Sequence, residues 1–340
     1  MKVWEIRDDW SMEHLVPGER AKPAPGPGQV LLRMKAASLN FRDLVVPKRG
    51  YGALTGTLPL IPISDGVGIV EAVGEGVRRV AVGDRVCPLF MPHFHGGEPN
   101  AERLTRTLGG PIDGVMAEWM VLDEGGVSRV PGHLTDEQAA TLPCAALTAW
   151  TALVTCGAIK AGDRVLVQGT GGVSLFALQF ARMAGAHVIV TSSSDEKLER
   201  VKAMGADAVV NYRSVPEWGK IVREMAGGEG VDHVVEVGGE QTLNQSLRAI
   251  RIGGTISLIG VLSGGSLDVK LGPIVTRHVR LQGITVGHRD GFEAMARAIG
   301  QHGLLPVVDR VFEFGELREA LAYLASGRHF GKICLRHPQG

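Results

Sequence analysis

The residues best placed to do chemistry are a run of small ones, Gly169-Thr170-Gly171-Gly172-Val173. A short apolar stretch, Val165-Leu166-Val167, precedes them. Apolar residues then recur at Val173, Phe176, Ala177, Phe180, Ala181 and Ala184, the spacing of one helix face. Gly185 stops that pattern and Val188-Ile189-Val190 opens a second apolar stretch. Strand, glycine turn, helix, strand is the first unit of a dinucleotide-binding fold. Gly169 permits the tight turn, and Gly171 lets a pyrophosphate approach the backbone with no side chain between. The amides of Gly172 and Val173 open a helix whose positive end attracts phosphate. Thr170, inside the turn, joins this predicted contact set. The third motif position is Ser174 rather than Gly or Ala, so the helix-to-strand contact must tolerate a hydroxyl.

The end of the second strand bears on which dinucleotide binds. An NAD site usually places Asp or Glu there to accept hydrogen bonds from the ribose 2′-hydroxyl. This chain has Thr191-Ser192-Ser193-Ser194. An acid would repel a 2′-phosphate, whereas Ser192 and Ser193 donate to one and Lys197 adds positive charge, so NADP(H) is expected. Ser193 also reads as the cap of the next helix, with Glu196 completing a capping box. The two roles are compatible.

These residues need elements to hold them, and the chain of 340 residues has room for two domains. Residues 1–130 are β-rich, with strands expected at 2–6, 30–36, 66–73 and 115–122 and a turn and strand over 82–86. The Pro-, Gly- and His-rich stretch 91–114 reads as a long loop, of the kind that forms lids or binding surfaces. Thr135-Asp136-Glu137-Gln138 is a capping box, and 143–156 is a largely apolar helix expected to pack beneath the cofactor. Strands at 163–168, 187–191, 207–211, 231–237, 255–260 and 279–286 alternate with helices at 195–204, 216–226 and 240–250. Six strands in this rhythm predict an α/β fold with a doubly wound parallel sheet over 131–286. Helices near 291–301 and 315–325 and a strand at 332–336 return to the first domain, as 287–340. No internal repeat is evident.

Composition narrows the classes of partner. Lys and Arg balance Asp and Glu at a formal net charge of zero, which leaves no electrostatic case for nucleic acid or an anionic membrane. The N-terminal MKVWEIRDDW is strand-like rather than a signal peptide. The apolar run at 144–154 falls short of the ~18 residues of a membrane span. Cys87, Cys144, Cys156 and Cys334 are scattered with no CxxC pair, which points to a reduced, cytoplasmic protein. Strand 279–286 would be an edge, and its Val279, Leu281, Ile284 and Val286 are open to pairing with a second copy.

With these residues placed, the chain resembles the medium-chain dehydrogenase/reductase superfamily over nearly its whole length. Within it the chain is most similar to zinc-independent quinone oxidoreductases and the enoyl-reductase domains of polyketide synthases. Ser38-Leu39-Asn40-Phe41-Arg42-Asp43, Asp65-Gly66-Val67-Gly68-Ile69-Val70-Glu71, Val82-Gly83-Asp84-Arg85-Val86 and the 142–149 segment LPCAALTA carry the resemblance, with Gly205-Ala206-Asp207 and Gly331-Lys332. It implies a GroES-like catalytic domain beside the Rossmann domain, hydride transfer from NADPH to a quinone, enal or enone, and a homodimer, with which the open edge at 279–286 agrees. Zinc alcohol dehydrogenases hold catalytic zinc with Cys, His and Cys. At the corresponding places stand Asn40, Ser64 followed by Asp65, and Cys144, and a structural four-cysteine cluster is also absent. Catalytic zinc normally needs three protein ligands, so no metal is expected, and Cys87, His93 and His95 read as a solvated loop. The remaining alternatives are an alcohol dehydrogenase for simple alcohols or aldehydes and a cofactor-binding protein with little turnover.

By analogy with those reductases, Asn40 is the first candidate at the substrate mouth, against a plain turn-forming role. Tyr51 would donate a proton or hydrogen bond, unless it is a surface aromatic. Thr148 would face the nicotinamide carboxamide or else bond back to its own helix. Asp43 and Asp65 read as structural acceptors. Tyr212 is expected near the adenosine phosphates with help from Arg213. Gly238, Gly239 and Gly260 lie where a ligand crosses the sheet edge, and Gly331 and Lys332 help close the nicotinamide end.

Overall fold

The computed structural model describes residues 1–260, 262, 266, 269 and 271–338. The chain forms two compact units, one of residues 1–147 and 286–340 and one of residues 148–285. The helical stretch up to Leu147 therefore belongs with the β-rich unit, whereas its composition had suggested the start of the second.

The β-rich unit holds a seven-stranded sheet whose path runs Val308–Glu313, Lys332–Arg336, Gln29–Ser38, Asp65–Val73, Arg85–Pro88 and Val127–Arg129, with Trp119–Asp123 pairing Gln29–Ser38 off the path. The long strand Gln29–Ser38 is buried on most positions because it has neighbours on several sides. The C-terminal strand pairs antiparallel to it, Cys334 opposite Ser38, which ties the two ends of the chain into one sheet. Val3, Ile6, Leu32, Met34, Ile63, Met116, Leu317 and Ile333 share one core with no more than 1 % of each exposed. Two of the expected strands are shorter than their hydrophobic runs, Arg85–Pro88 and Trp119–Asp123. The 91–114 stretch carries a short helix, Ala101–Thr105, and its Phe94 is buried edge-on against His288 at 5.3 Å rather than solvated.

The second unit is a six-stranded parallel sheet. Its strands lie in the order Ala208–Asn211, His187–Ser192, Arg164–Gln168, Val231–Glu236, Ile250–Leu258, Arg280–Gly283. Counted along the chain that order is 3-2-1-4-5-6, the doubly wound arrangement with its switch between the first and fourth strands. Val165, Leu166, Val167, Val188 and Ile189 are fully buried, as strands covered on both faces must be. The glycine-led helix Gly172–Met183 buries nearly all its circumference, and Trp150 meets Phe180 edge-on at 5.4 Å. The edge strand is only Arg280–Gly283, because Val279 and Ile284 turn inward while Leu281 stays exposed.

Candidate active site

The dinucleotide cradle is built from backbone. Strand Arg164–Gln168 ends at Gly169 with φ +73°, a left-handed conformation that glycine takes without strain. Gly171 is extended, and a Cβ built there meets no atom within 4 Å, so open space lies in front of the helix start. No side chain caps this helix, and the first-turn amides remain for a ligand. Thr170 is buried and Gly172 and Val173 are half-buried. Ser174 donates its hydroxyl to Gln168 O at 2.6 Å, which is how the helix-to-strand contact accommodates it. The residues present fit a bound pyrophosphate.

At the end of the second strand Ser192 is buried, and its Oγ accepts from Ser194 N at 3.4 Å. Ser194, not Ser193, caps the following helix Asp195–Ala203, accepting from Lys197 N at 3.3 Å. The strand carries on through Ser192 and the helix starts at Asp195 as expected, so the residue before it, Ser194, is the cap and Lys197, rather than Glu196, occupies the third position. The capping role of Ser193 is thereby corrected; its side chain is half-buried, as is Lys197. Asp195 is an acid just past the serines, and its carboxylate accepts from Asn211 Nδ2 at 2.7 Å. Tyr212 is exposed, and Asn211 Oδ1 holds the Arg213 amide at 3.0 Å.

Three strand-end glycines are also engaged within the protein itself. The amides of Gly238 and Gly239 donate to Glu236 Oε1 at 2.9 and 3.1 Å. Glu236 is fully buried and also accepts from Thr242 Oγ1, Gln168 Nε2 and Ser246 Oγ. A Cβ on Gly260 would lie 2.1 Å from Val237 O, so that glycine serves close backbone approach. Sequence reading assigned Gly238 and Gly260 to the cofactor and passed over Glu236. A lone acid at the end of an apolar strand, just before two glycines, was the available signal.

In the β-rich unit a polar cluster gathers side chains from distant segments. Asn40 heads the turn Phe41–Leu44 and is half-buried. Its Oδ1 accepts from Lys332 Nζ at 2.6 Å, and Lys332 Nζ also donates to Leu39 O. Asn40 Nδ2 lies 3.5 Å from Ser64 Oγ, which donates to Asp65 Oδ1 at 2.7 Å, and Asp65 Oδ2 accepts from the Cys144 amide at 2.9 Å. Asp65 is fully buried, and burial holds its carboxyl above the usual range against the pull of Lys332. Asp43 accepts from the Asn40 amide at 2.7 Å, and burial pushes its pKa up to about 6. Its Oδ1 is buried without a partner, which suits a protonated carboxyl. Both acids act as structural acceptors. Arg42 fastens the 91–114 stretch by donating to Leu108 O and Gly110 O at 2.8 and 3.0 Å.

Tyr51 is about half exposed at 45 %, and partial burial pushes its phenol up, which keeps the proton on it. Arg42, Asp43 and Cys144 act on its charge, so it lies within the field of this cluster. Thr148 is 1 % exposed, in the second unit.

Comparison with known proteins settles the family. Residues 26–132 match the family model described as the alcohol dehydrogenase GroES-like domain, and residues 172–301 match the one described as zinc-binding dehydrogenase. A zinc-type alcohol dehydrogenase-like protein of Schizosaccharomyces pombe is 44% identical over 339 residues, covering 97% of this chain and 98% of the relative. The chain belongs to the medium-chain dehydrogenase/reductase superfamily. Within that superfamily it is zinc-type alcohol dehydrogenase-like, an oxidoreductase that binds NAD(P). A crystal structure of a putative alcohol dehydrogenase from Sinorhizobium meliloti 1021 matches it with a TM-score of 0.94 and 43% identity over 98% of both chains. Another, described as an NAD-dependent alcohol dehydrogenase, matches at 0.90 and 34% over 99% of both. The quinone-oxidoreductase branch indicated by the sequence motifs is not what these relatives' descriptions name.

A catalytic zinc, implied by this family, meets a donor set that does not fit it. Asn40 Oδ1 already accepts from an ammonium, and Ser64 uses its hydroxyl as a donor. Cys144 is half-buried and is the one thiol of this donor set, where a catalytic zinc normally has three protein ligands. Among the described residues no group of three His, Cys, Asp or Glu side chains is arranged to hold a metal. Cys87 is buried with its Sγ on Ala139 O, and His95 Nε2 faces Pro92 O at 3.0 Å. Among the described residues no helix is long and apolar enough to cross a membrane.

Proposed function

We propose that this member of the superfamily is an NADPH-dependent reductase of electron-poor carbonyl compounds, an enal, enone or quinone, and that it works without a metal. The observation that carries the reading is the cluster of Asn40, Ser64, Asp65, Cys144 and Lys332, which is rich in hydrogen-bond donors and poor in metal ligands. When bound, a reduced nicotinamide supplies the hydride. A conjugated acceptor spreads the resulting negative charge onto its oxygen, and a hydrogen-bond donor such as the Asn40 amide stabilises that oxygen. Tyr51, its proton retained, is a second donor of the same kind. The preference for NADPH is supported by Ser192, Ser193 and Lys197 at the strand end, where no acid replaces them before Asp195. Thr148 and Tyr212 retain their proposed cofactor contacts.

Oxidation of NADPH and NADH with a panel of enals, enones, quinones and simple aldehydes, with and without chelator, tests this. The expected result is chelator-insensitive turnover of conjugated acceptors with NADPH favoured. Turnover confined to simple alcohols or aldehydes and abolished by chelator would overturn it.

The second reading is an alcohol dehydrogenase for simple alcohols or aldehydes, and the descriptions of all three similar proteins favour it. Tight NADPH binding with no turnover on any substrate would instead support a binding protein. A homodimer is proposed from the exposed edge strand Arg280–Gly283 and from Leu271 and Val275, 69% and 71% exposed on the adjoining helix Leu271–Thr276. Solution sizing that finds only monomer would remove it.

A further inference from the structure

Lys332 is the cation that bonds directly to Asn40, and the fold goes out of its way to put it there. The preceding Gly331 has φ +90°, and a Cβ on it would lie 2.5 Å from Val307 O. Only glycine lets the chain enter the last strand at this angle, with the Lys332 amide on Val307 O at 2.9 Å. The side chain is then 3 % exposed. Its ammonium donates to two neutral acceptors, Leu39 O and Asn40 Oδ1, and among the described residues no carboxylate lies within ion-pair distance. A buried charge of this kind normally has a partner of opposite sign. The buried acids Asp65 and Asp43 feel its field without forming an ion pair with it, and burial holds both carboxyls above their usual range, so the ammonium also acts on whatever occupies the site.

The ammonium also fixes which way Asn40 faces. It can only donate, so the amide must turn Oδ1 towards it, and Nδ2 is left pointing the other way, past Ser64 Oγ. Asn40 is thereby a donor towards substrate, polarised from behind by a full charge. We propose that Lys332 is the resident cation of the substrate site, a positioning residue that acts through Asn40 and supplies the positive charge the family's zinc supplies in other members. Its chemical consequence, stabilising a substrate oxygen as it gains charge, rests on the reductase reading above; its exclusion of a metal does not.

Two measurements test it separately. Wild-type protein titrated with cobalt(II) should show no thiolate-to-cobalt absorption band and retain no stoichiometric metal after gel filtration. One tightly held equivalent with that band would overturn the inference, whatever the substrate proves to be. For catalysis, Lys332→Met should lower kcat on the order of 100-fold, the usual effect of removing one oxyanion-stabilising interaction. KM and the NADPH dissociation constant should stay within about threefold. Lys332→Arg should recover about tenfold of that loss by restoring the charge, which a purely structural lysine would not do. A folded Lys332→Met variant with kcat within about threefold of wild type, or an NADPH affinity that falls in step with activity, would also overturn it. Absence of turnover on every acceptor would sink the proposed reaction alone, and the cobalt titration would still judge the lysine.

Discussion

The dinucleotide cradle and the polar cluster hold their working groups in opposite ways. In the cradle they are backbone amides: Gly169 turns the chain, Gly171 leaves space, and an uncapped helix start faces that space. In the cluster they are side chains from three separate segments, Asn40, Ser64 with Asp65, and Lys332, joined by the Cys144 amide from a fourth. A backbone site is set by a short run of residues whose only requirement is the absence of side chains. A side-chain site depends on the whole sheet that brings its parts together. The first tolerates change around it and fails at one position. The second redistributes charge when any member changes, and the proposed role of Lys332 is one such redistribution.

That contrast is sharpest where the cradle does depend on a side chain. Glu236 collects two backbone amides, two hydroxyls and the Gln168 amide at a strand end with no solvent access. Glu236→Ala would strand these donors, and a loss of about 3–5 kcal/mol in unfolding free energy is expected, since each buried donor left unsatisfied costs about 1–3 kcal/mol. Chemical denaturation measures it. A loss under about 1 kcal/mol would show that the strand end is held by backbone alone.

Gly171→Val examines the pure backbone case. Its Cβ meets nothing in the protein, so thermal stability should stay within about 0.5 kcal/mol, the range for substitutions away from packed features. The same side chain fills the space in front of the helix, and NADPH affinity should fall on the order of 100-fold, or about 2.7 kcal/mol. Unchanged affinity would place the pyrophosphate elsewhere.

How much was legible in the sequence follows the same division. The six parallel strands and the glycine turn could be read because each follows from a local pattern: period, turn residue, helix face. Lys332–Arg336 was placed to the residue for the same reason. The cap was read one position early, at Ser193, because pairing with Ala208–Asn211 carries the strand through Ser192, one residue beyond the expected 187–191, and leaves Ser194 next to the helix. Gly238 and Gly260 look like ligand glycines from their place at strand ends. Only packing reveals that one answers to Glu236 and the other to Val237 O. The pairing of Lys332 with Asn40 joins residues at opposite ends of the chain, and no local pattern encodes it.

The β-rich unit also carries a buried group that makes its stability depend on pH. His337 is 1 % exposed, its ring packs against Phe314 at 5.0 Å, and burial lowers its pKa to about 3. The unfolded chain takes up this proton near pH 6.5, while the folded chain refuses it until about pH 3. Stability present above pH 6.5 is therefore lost progressively as pH falls through that window. At pH 5 the cost is about 2 kcal/mol, from roughly 1.4 kcal/mol per pH unit. His337→Phe should flatten the decline in unfolding free energy between pH 7 and pH 5 by that amount. An unchanged slope would assign the acid sensitivity to other groups.

The smallest expected effect is the most informative about cofactor choice. Ser193 is half-buried at the end of the second strand, and the cap it was expected to make is made by Ser194, so its hydroxyl can serve a ligand without loss to the helix. Ser193→Asp would set a negative charge where a 2′-phosphate is proposed and an acceptor where a 2′-hydroxyl would lie. The ratio of NADPH to NADH dissociation constants should rise about tenfold, a change of about 1.4 kcal/mol. Helix stability should hold because the Ser194 cap is untouched. Fluorescence titration with each nucleotide reads the ratio directly. If it stays constant while both affinities fall together, the serine lies near the adenosine ribose but does not sense its phosphate, and the preference for NADPH must then rest on Lys197.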